Sequence, residues 1–372
     1  MMPTEVFILA AGLFVAYVNG ANDNFKGVAT LFGSGITDYK RALYWATATT
    51  LMGSLAALFL SHGLVAAFSG KGLVPAAVLQ MPTFLFAVAS GAAIIVFIAT
   101  VTGLPMSTTH ALIGGLVGAG FASGHSVEFQ RLANSFVLPL LLSPIISVPL
   151  TVAIYPAFQK IKIMCGVNGA TCLCLDGKDE VVEITPGGTA VLKSTGLTLT
   201  MAQMDVCQTK YLGTVAGIEA QEVLGKTHYL TAGAVSFARG LNDTPKIAGL
   251  LLAVQFLGIQ HALFGIGIVI ALGGLISARK VAYTMSQKIT PMNHGQGFTA
   301  NLVAAMLIIL ASLYSLPVST THVTCGSIFG IGIVSGKANW QVIRNILLSW
   351  AATLPLAGLL SAAVFLAVRF YA

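Results

Sequence analysis

Charge is scarce in this sequence. Lys, Arg, Asp and Glu supply only 31 of 372 positions, 8%, where a soluble domain carries roughly 25%. With 56% hydrophobic residues beside them, so few charges exclude a water-soluble enzyme. Apolar stretches such as 137–158 and 347–368 are of bilayer-spanning length, which predicts a polytopic protein of the lipid bilayer. The net charge of +7 does not point to nucleic acid, since the basic residues stand singly between apolar segments instead of forming a stripe. No basic n-region precedes the first apolar stretch, so a cleaved signal peptide is not expected. Cysteine is sparse too: there are five, without the paired CxxC spacing of common zinc modules, and neither a resident metal nor a cofactor is predicted.

Only twelve residues are acidic, and where they stand is informative. Asp176, Asp179, Glu180, Glu183, Asp205, Glu219 and Glu222 fall within 161–226, the only stretch of soluble composition. Glu5, Asp38 and Glu128 lie at segment ends, which leaves Asp23 and Asp243 inside apolar sequence. A carboxylate there costs at least ~2.5 kcal/mol. Each is therefore expected to line an aqueous or paired site.

The chain is duplicated. Gly20-Ala21-Asn22-Asp23-Asn24-Phe25-Lys26 recurs in the second half as Gly240-Leu241-Asn242-Asp243-Thr244-Pro245-Lys246. LPMSTTH, ending at His110, recurs as LPVSTTH, ending at His322, and Gly114, Gly118 and Gly120 are matched by Gly326, Gly330 and Gly332. Asn134 and Pro144 likewise have counterparts in Asn345 and Pro355. Two motifs in the same order define a repeat: residues 1–160 form the first membrane repeat, 161–226 a connector domain and 227–372 the second membrane repeat.

Apolar segments are read at 5–36, 41–68, 83–104, 106–122 and 132–159, and again at 228–254, 259–277, 296–316, 318–335 and 341–369. The first is too long for one straight span, about 48 Å against a core of about 30 Å, and a break near residues 19–24 resolves this. The pair around LPMSTTH forms two spans or one re-entrant hairpin, so each half crosses five or three times. Either count is odd, which makes the repeats inverted. With the connector in the cytoplasm, Lys40, Arg41, Lys160, Lys162, Lys226, Arg279, Lys280, Lys288, Lys337 and Arg344 lie inside and only Lys71, Arg131 and Arg369 outside. That balance puts both termini outside.

In LPMSTTH, Pro105 stops a helix arriving from upstream and Ser107 or Thr108 can cap the next. The product is a half-helix whose free N–H groups and dipole favour an anion at membrane depth. Inverted symmetry brings a second such end, Ser319 to Thr321, to the same midplane. Six hydroxyls, of Ser107, Thr108, Thr109, Ser319, Thr320 and Thr321, suit a compact oxyanion. The GANDNFK and GLNDTPK elements are expected at helix breaks, where Asn22, Asp23, Asn242, Asp243 and unwound carbonyls offer the hard oxygens that Na⁺ needs; a carboxylate can alternatively carry a proton.

Lys26 and Lys246 follow the two aspartates at i+3, on the same face of a helix. They lessen the penalty of burying the acids and can attract an anion or stand in for a coupling cation. Arg239, opposite Asn19 in the first half, is the main charge asymmetry. His110 and His322 are read as neutral hydrogen-bonded helix residues, with a proton carrier as the alternative. Neighbouring Ser and His invite a hydrolase reading, but that site needs one asymmetric nucleophile, base and acid, whereas here every component comes twice. An anion channel, the other competing class, has little use for an ion-coupling acid.

These residues, GANDN with Gly33-Ser34-Gly35 downstream, the second-half GLNDTPK and the paired STTH motifs, resemble the PiT family of inorganic phosphate transporters over both membrane halves. The resemblance implies an all-α polytopic fold of two inverted repeats with broken helices and re-entrant hairpins, a homodimer, and symport of phosphate with Na⁺ or H⁺ by alternating access. It implies that Asn22, Asp23, Asn242 and Asp243 serve ion and substrate binding, with Asp23 and Asp243 coupling the ion, and that the six hydroxyls hold the oxyanion. The family's first-half motif commonly reads GANDVANAFGT, with Asn where this chain has Lys26. A fixed cation there argues for a proton-coupled or weakly Na⁺-dependent carrier, in which Lys26 and Lys246 partly replace coupling cations and are counted among the substrate-binding residues. Some relatives carry sulfate. Phosphate is favoured because it retains a proton to share with a carboxylate, which sulfate lacks.

In the connector, short strands are predicted at 172–175, 180–184, 190–193 and 197–201, divided by DGKD, TPGG and STG turns, with a helix at 217–226. This is a small cytoplasmic β-rich domain. Cys165, Cys172, Cys174 and Cys207 are expected as buried thiols, with a metal or redox-sensing cluster as the alternative; Cys325 is expected to pack between helices.

Overall fold

A computed structural model describes residues 3–60, 62–168, 171–184, 190–203, 218–251 and 258–371. These are mostly helical and divide into two compact units, Met1–Tyr155 with His228–Ala372, and Pro156–Thr227.

The first half contributes α1 (Pro3–Asp23), α2 (Ala29–Gly33), α3 (Tyr39–Leu60), α4 (His62–Phe68), α5 (Ala76–Leu79), α6 (Pro82–Thr102), α7 (Thr108–Ala122), α8 (Phe129–Leu132) and α9 (Leu138–Met164). The second half contributes α10 (Ala220–Leu251), α11 (Ile259–Ser277), α12 (Arg279–Tyr283), α13 (His294–Leu313), α14 (Thr320–Ser335) and α15 (Trp340–Tyr371). Among the described residues seven helical spans are long and apolar enough to cross a membrane, which makes this a multi-pass membrane protein. Helix α10 has 32 residues but carries Arg239, Asp243 and Lys246 along its length. Helices α7 and α14, of 15 and 16 residues, are about 23 Å long, short of a core of about 30 Å.

The predicted break in the first segment falls slightly later than residues 19–24. Helix α1 runs to Asp23, Asn24 N–H still donates to Gly20, and a 3₁₀ turn over Lys26–Val28 leads into α2. Helix α6 stops at Gly103, whose φ of 77° closes the end, and Leu104 N–H bonds back to Ala99. In the second half the same stop is made by Ser315, at φ 55°, with Leu316 N–H bonding back to Ala311.

Small residues let the long helices approach each other's backbone. On α1, a methyl at Gly20 would strike the Ile270 carbonyl of α11, and one at Gly273 would strike that of Tyr17. The equivalent relation, with the roles of the halves exchanged, joins α10 to α3: Gly240 faces the Thr50 carbonyl and Gly53 that of Phe237. Helix α7 packs its Gly114 and Gly118 on Leu354 and Gly358 of α15, and α14 packs Gly326 and Gly330 against Ser147 and Val148 of α9. Each contact joins a helix of one half to a helix of the other.

In the second unit, β1 (Thr171–Ile184) and β2 (Ala190–Gln203) pair antiparallel, and β3 (Ile218–Glu219) joins the other edge of β1, giving the order β2-β1-β3. The four short strands expected here are two strands of 14 residues. DGKD is not a turn, because the ladder continues through a register shift between Gly177 and Asp179, and a bulge absorbs the extra residue. Helix α10 begins at Ala220, not 217, since Ile218 and Glu219 are in strand β3. The TPGG segment, Cys207 and the expected helix end at 252–254 lie outside the described residues. Cys165 is exposed, against the expectation of a buried thiol; Cys325 is buried, 3.3 Å from the Met285 sulfur.

Candidate functional site

The two STTH motifs begin the two short helices as Pro105 and the hydroxyls predict. Ser107 is the N-cap of α7 and its Oγ accepts from His110 N–H at 3.2 Å; Ser319 caps α14 through His322 N–H at 3.2 Å. The hydroxyl cap satisfies one of the free donors of a helix end that lies inside the protein.

Asp23 and Asp243 lie beside these ends, and both are buried. Lys26 Nζ hydrogen-bonds Asp23 Oδ1, the Met106 carbonyl at 2.9 Å and Thr321 Oγ1 at 2.6 Å. Lys246 Nζ repeats the pattern with Asp243 Oδ1 at 3.2 Å, the Val318 carbonyl at 2.7 Å and Thr109 Oγ1 at 2.9 Å. The other oxygen of each carboxylate accepts from the first threonine of its own motif, Thr108 at 3.5 Å and Thr320 at 3.2 Å. Each lysine thus bonds an acid and a carbonyl of its own half and a hydroxyl of the other.

Asn22 fixes the extended segment before α7. Its Nδ2 donates to the Leu104 carbonyl and Thr100 Oγ1, both at 3.1 Å, and its Oδ1 accepts from Met106 N–H at 2.9 Å. Asn242 donates to Ser312 at 2.9 Å, and among the described residues its buried Oδ1 has no partner. Asn19 and Arg239, which occupy equivalent places in the two halves, meet: Arg239 Nη1 donates to Asn19 Oδ1 at 3.4 Å. Asn19 also donates to Asp23 and Thr108, both at 3.0 Å, and the guanidinium reaches Asn24 at 3.2 Å and Thr50 at 3.0 Å. The buried cluster holds three cations, Lys26, Arg239 and Lys246, against two carboxylates, a formal excess of one positive charge.

His110 and His322 face each other with ring centroids 4.5 Å apart, and His322 stacks on Trp350 at 3.9 Å. Trp350 Nε1 donates to the Pro105 carbonyl at 3.0 Å, holding the segment that Asn22 holds from the other side.

All twelve predicted site residues gather in one cluster, with two differences of detail. The second-half motif does not unwind its helix: α10 runs unbroken through Pro245, which only deprives the Leu241 carbonyl of its helical donor. The free carbonyls expected there come instead from Met106 and Val318 in the segments before α7 and α14. The hydroxyls, moreover, divide by task. Ser107 and Ser319 cap helices, Thr108 and Thr320 bond carboxylates, and Thr109 and Thr321 accept from lysines. Sequence reasoning passed over the roles of Asn19, Thr100 and Trp350. Asn19 was visible only as the neutral counterpart of Arg239, and Trp350 carries no motif at all.

Chemically, the cluster joins two helix N-termini, rotatable hydroxyls and a cation excess, all suited to an oxyanion, with two carboxylates able to bind a cation or a proton.

Residues 19–361 match the phosphate transporter family. A protein of Pyrococcus abyssi named a phosphate permease is 30% identical over 98% of both chains. A Rhizobium meliloti protein named a low-affinity inorganic phosphate transporter is 28% identical over all of this chain and 98% of its own. Sodium-dependent phosphate transporter 1 of Mus musculus is 34% identical over 154 residues, 38% of this chain and 22% of its own length. The solved structure of a sodium-dependent phosphate transporter has the same fold over the whole of both chains, with a TM-score of 0.76 at 22% identity. The match across both membrane halves places the chain in the phosphate transporter family, whose members are transporters and not enzymes.

Proposed function

We propose that this chain is a secondary active transporter that moves inorganic phosphate across the cell membrane by alternating access, in symport with H⁺ or Na⁺. The observation that carries the reading is the doubled cluster in which Lys26 and Lys246 each bond an aspartate of their own half and a threonine of the other. A substrate held there contacts both halves at once, and a shift of one half against the other changes every one of these bonds. Ser107, Thr108, Thr109, Ser319, Thr320, Thr321, Asn22, Asn242, Lys26 and Lys246 bind the anion; Asp23 and Asp243 couple the ion. The halves 1–160 and 227–372 act as inverted repeats, supported by helix contacts that recur at equivalent glycines of the two halves. Both termini lie outside, the β-rich connector 161–226 lies in the cytoplasm, and two copies form a homodimer.

The names of the mouse relative and of the solved structure point to Na⁺. Against strict Na⁺ coupling stands Lys26, whose ammonium already fills the space between Asp23, the Met106 carbonyl and Thr321. The carrier is therefore proton-coupled or weakly Na⁺-dependent. Uptake of labelled phosphate into proteoliposomes under separately imposed Na⁺ and H⁺ gradients tests both parts. Accumulation driven by the pH gradient alone is expected. Downhill flux that neither gradient can drive uphill would mark a channel and refute the proposal.

A further inference from the structure

A second concentration of positive charge lies away from the Asp and Lys cluster. A cavity of about 530 Å³ opens where Arg279, Lys280 and Lys288 meet Phe32, Tyr39 and Tyr283. All three basic residues are exposed, and among the described residues none of them pairs with a carboxylate. Asp38, next in sequence to Tyr39, is engaged by Arg41, through both its side chain at 3.3 Å and its backbone N–H at 2.9 Å. Lys280 is tethered by the Val101 carbonyl at 2.8 Å, and Lys288 lies over the Tyr283 ring at 5.5 Å. Thr102 and Gly103, at the end of α6, complete the wall. The extended segment from Leu104 to Met106 runs from that wall to Lys26.

Three unneutralised cations around one hollow lower the energy of a multiply charged anion placed between them. Exposure keeps the cations hydrated, so the field is screened over about 8–10 Å and acts within the cavity. The guanidinium offers a planar fork that fits two oxygens of a tetrahedral anion, and the two ammoniums act as point charges. The space is that of a pocket for a small molecule, far larger than the ≈ 30 Å³ of one water. It accepts a hydrated phosphate or a phosphate bearing an organic group against the aromatic rings.

We propose that Arg279, Lys280 and Lys288 form a second anion site that receives a phosphate group, distinct from the Asp23 and Asp243 cluster and independent of the transport reading. The group comes from one of two sources: free inorganic phosphate from solution, or the headgroup of an anionic phospholipid at the membrane surface.

Acylation of lysine amines, read by mass spectrometry, tests the site with the full chain in nanodiscs. Lys71, exposed and remote in sequence, serves as reference. One arm adds inorganic phosphate or chloride to phosphatidylcholine discs; the other compares phosphatidylglycerol discs with phosphatidylcholine discs in chloride. In at least one arm Lys280 and Lys288 are expected to label about tenfold more slowly relative to Lys71, as mass action predicts for a site about nine-tenths occupied. The arm that responds names the source. Arg279→Gln is expected to remove most of that protection, while Asp243→Asn, which acts on the central cluster, leaves it intact. Labelling of Lys280 and Lys288 that follows Lys71 in both arms overturns the proposal, as does protection undiminished by Arg279→Gln.

Discussion

Lys26 donates to Thr321 at 2.6 Å, and Lys246, its counterpart in the second half, donates to Thr109 at 2.9 Å. Each lysine also holds the aspartate three residues before it. Neither half of the chain completes the cluster alone: the ion pairs that make burial of Asp23 and Asp243 tolerable lie within each half, and the lysines of those pairs join the halves through Thr321 and Thr109.

Removing one member of such a pair leaves an uncompensated buried charge. Lys26→Met is expected to lower stability by about 3–5 kcal/mol, seen as an earlier thermal transition of the purified protein. Asp23→Asn added to Lys26→Met should recover most of that loss without restoring uptake. A single variant as stable as the wild type would show that Asp23 is not ionised beside Lys26.

The family motif that GANDNFK resembles has Asn where this chain has Lys26. Lys26→Asn frees the space that the ammonium occupies and supplies a neutral oxygen ligand, so uptake should become more dependent on Na⁺, by about tenfold, within the usual range of coupling between sites. Initial rates in proteoliposomes with and without Na⁺ check this. Equal rates in both media would separate Lys26 from ion coupling.

Phosphate carries a proton at neutral pH and sulfate does not, so a site with two carboxylates should disfavour sulfate. Excess unlabelled sulfate is expected to leave labelled phosphate uptake nearly unchanged. Asp23→Asn, which removes a negative charge from the cluster, should make sulfate a better competitor. Strong inhibition of the wild type by sulfate would argue for a general oxyanion carrier.

Ser315 ends α13 with φ 55°, a region that side chains adopt at some expense, whereas the first half has Gly103 at the matching position. Ser315→Gly should raise stability by about 0.5–1 kcal/mol, the left-handed strain of about 1–2 kcal/mol being partly offset by a more flexible unfolded chain. A lower melting temperature would contradict the conformation at this turn.

Gly20 and Gly240 each lie against a carbonyl of the facing helix, Ile270 and Thr50. Valine at either place must push two long helices apart, a strain of about 1–3 kcal/mol or more. Both variants should give less folded protein, read as monodisperse yield in detergent. A normal yield from one of them alone would break the equivalence of the two helix pairs.

The roles of individual atoms in the cluster were less legible than its membership. That Asp23, Lys26, Asp243 and Lys246 belong together follows from their being nearly the only charges in apolar sequence, a cost the bilayer imposes wherever they lie. Which hydroxyl each one meets does not follow, because Thr321 is 295 residues from Lys26 and only packing brings them together. GLNDTPK breaks its helix less than its proline predicts for a similar reason: α10 tolerates Pro245 because neighbouring helices hold it on all sides. The pairing of Asn19 with Arg239 and the placing of Trp350 against His322 and Pro105 were likewise decided by tertiary contact.

By itself, then, the sequence determined a duplicated membrane protein with two capped half-helices, because hydropathy, helix stops and N-caps act within a turn or two of chain. Only the tertiary structure decided which half supplies each partner. Helices brought close at their glycines carry Lys26 and Lys246 each across to a threonine of the other half, and no local rule encodes that crossing.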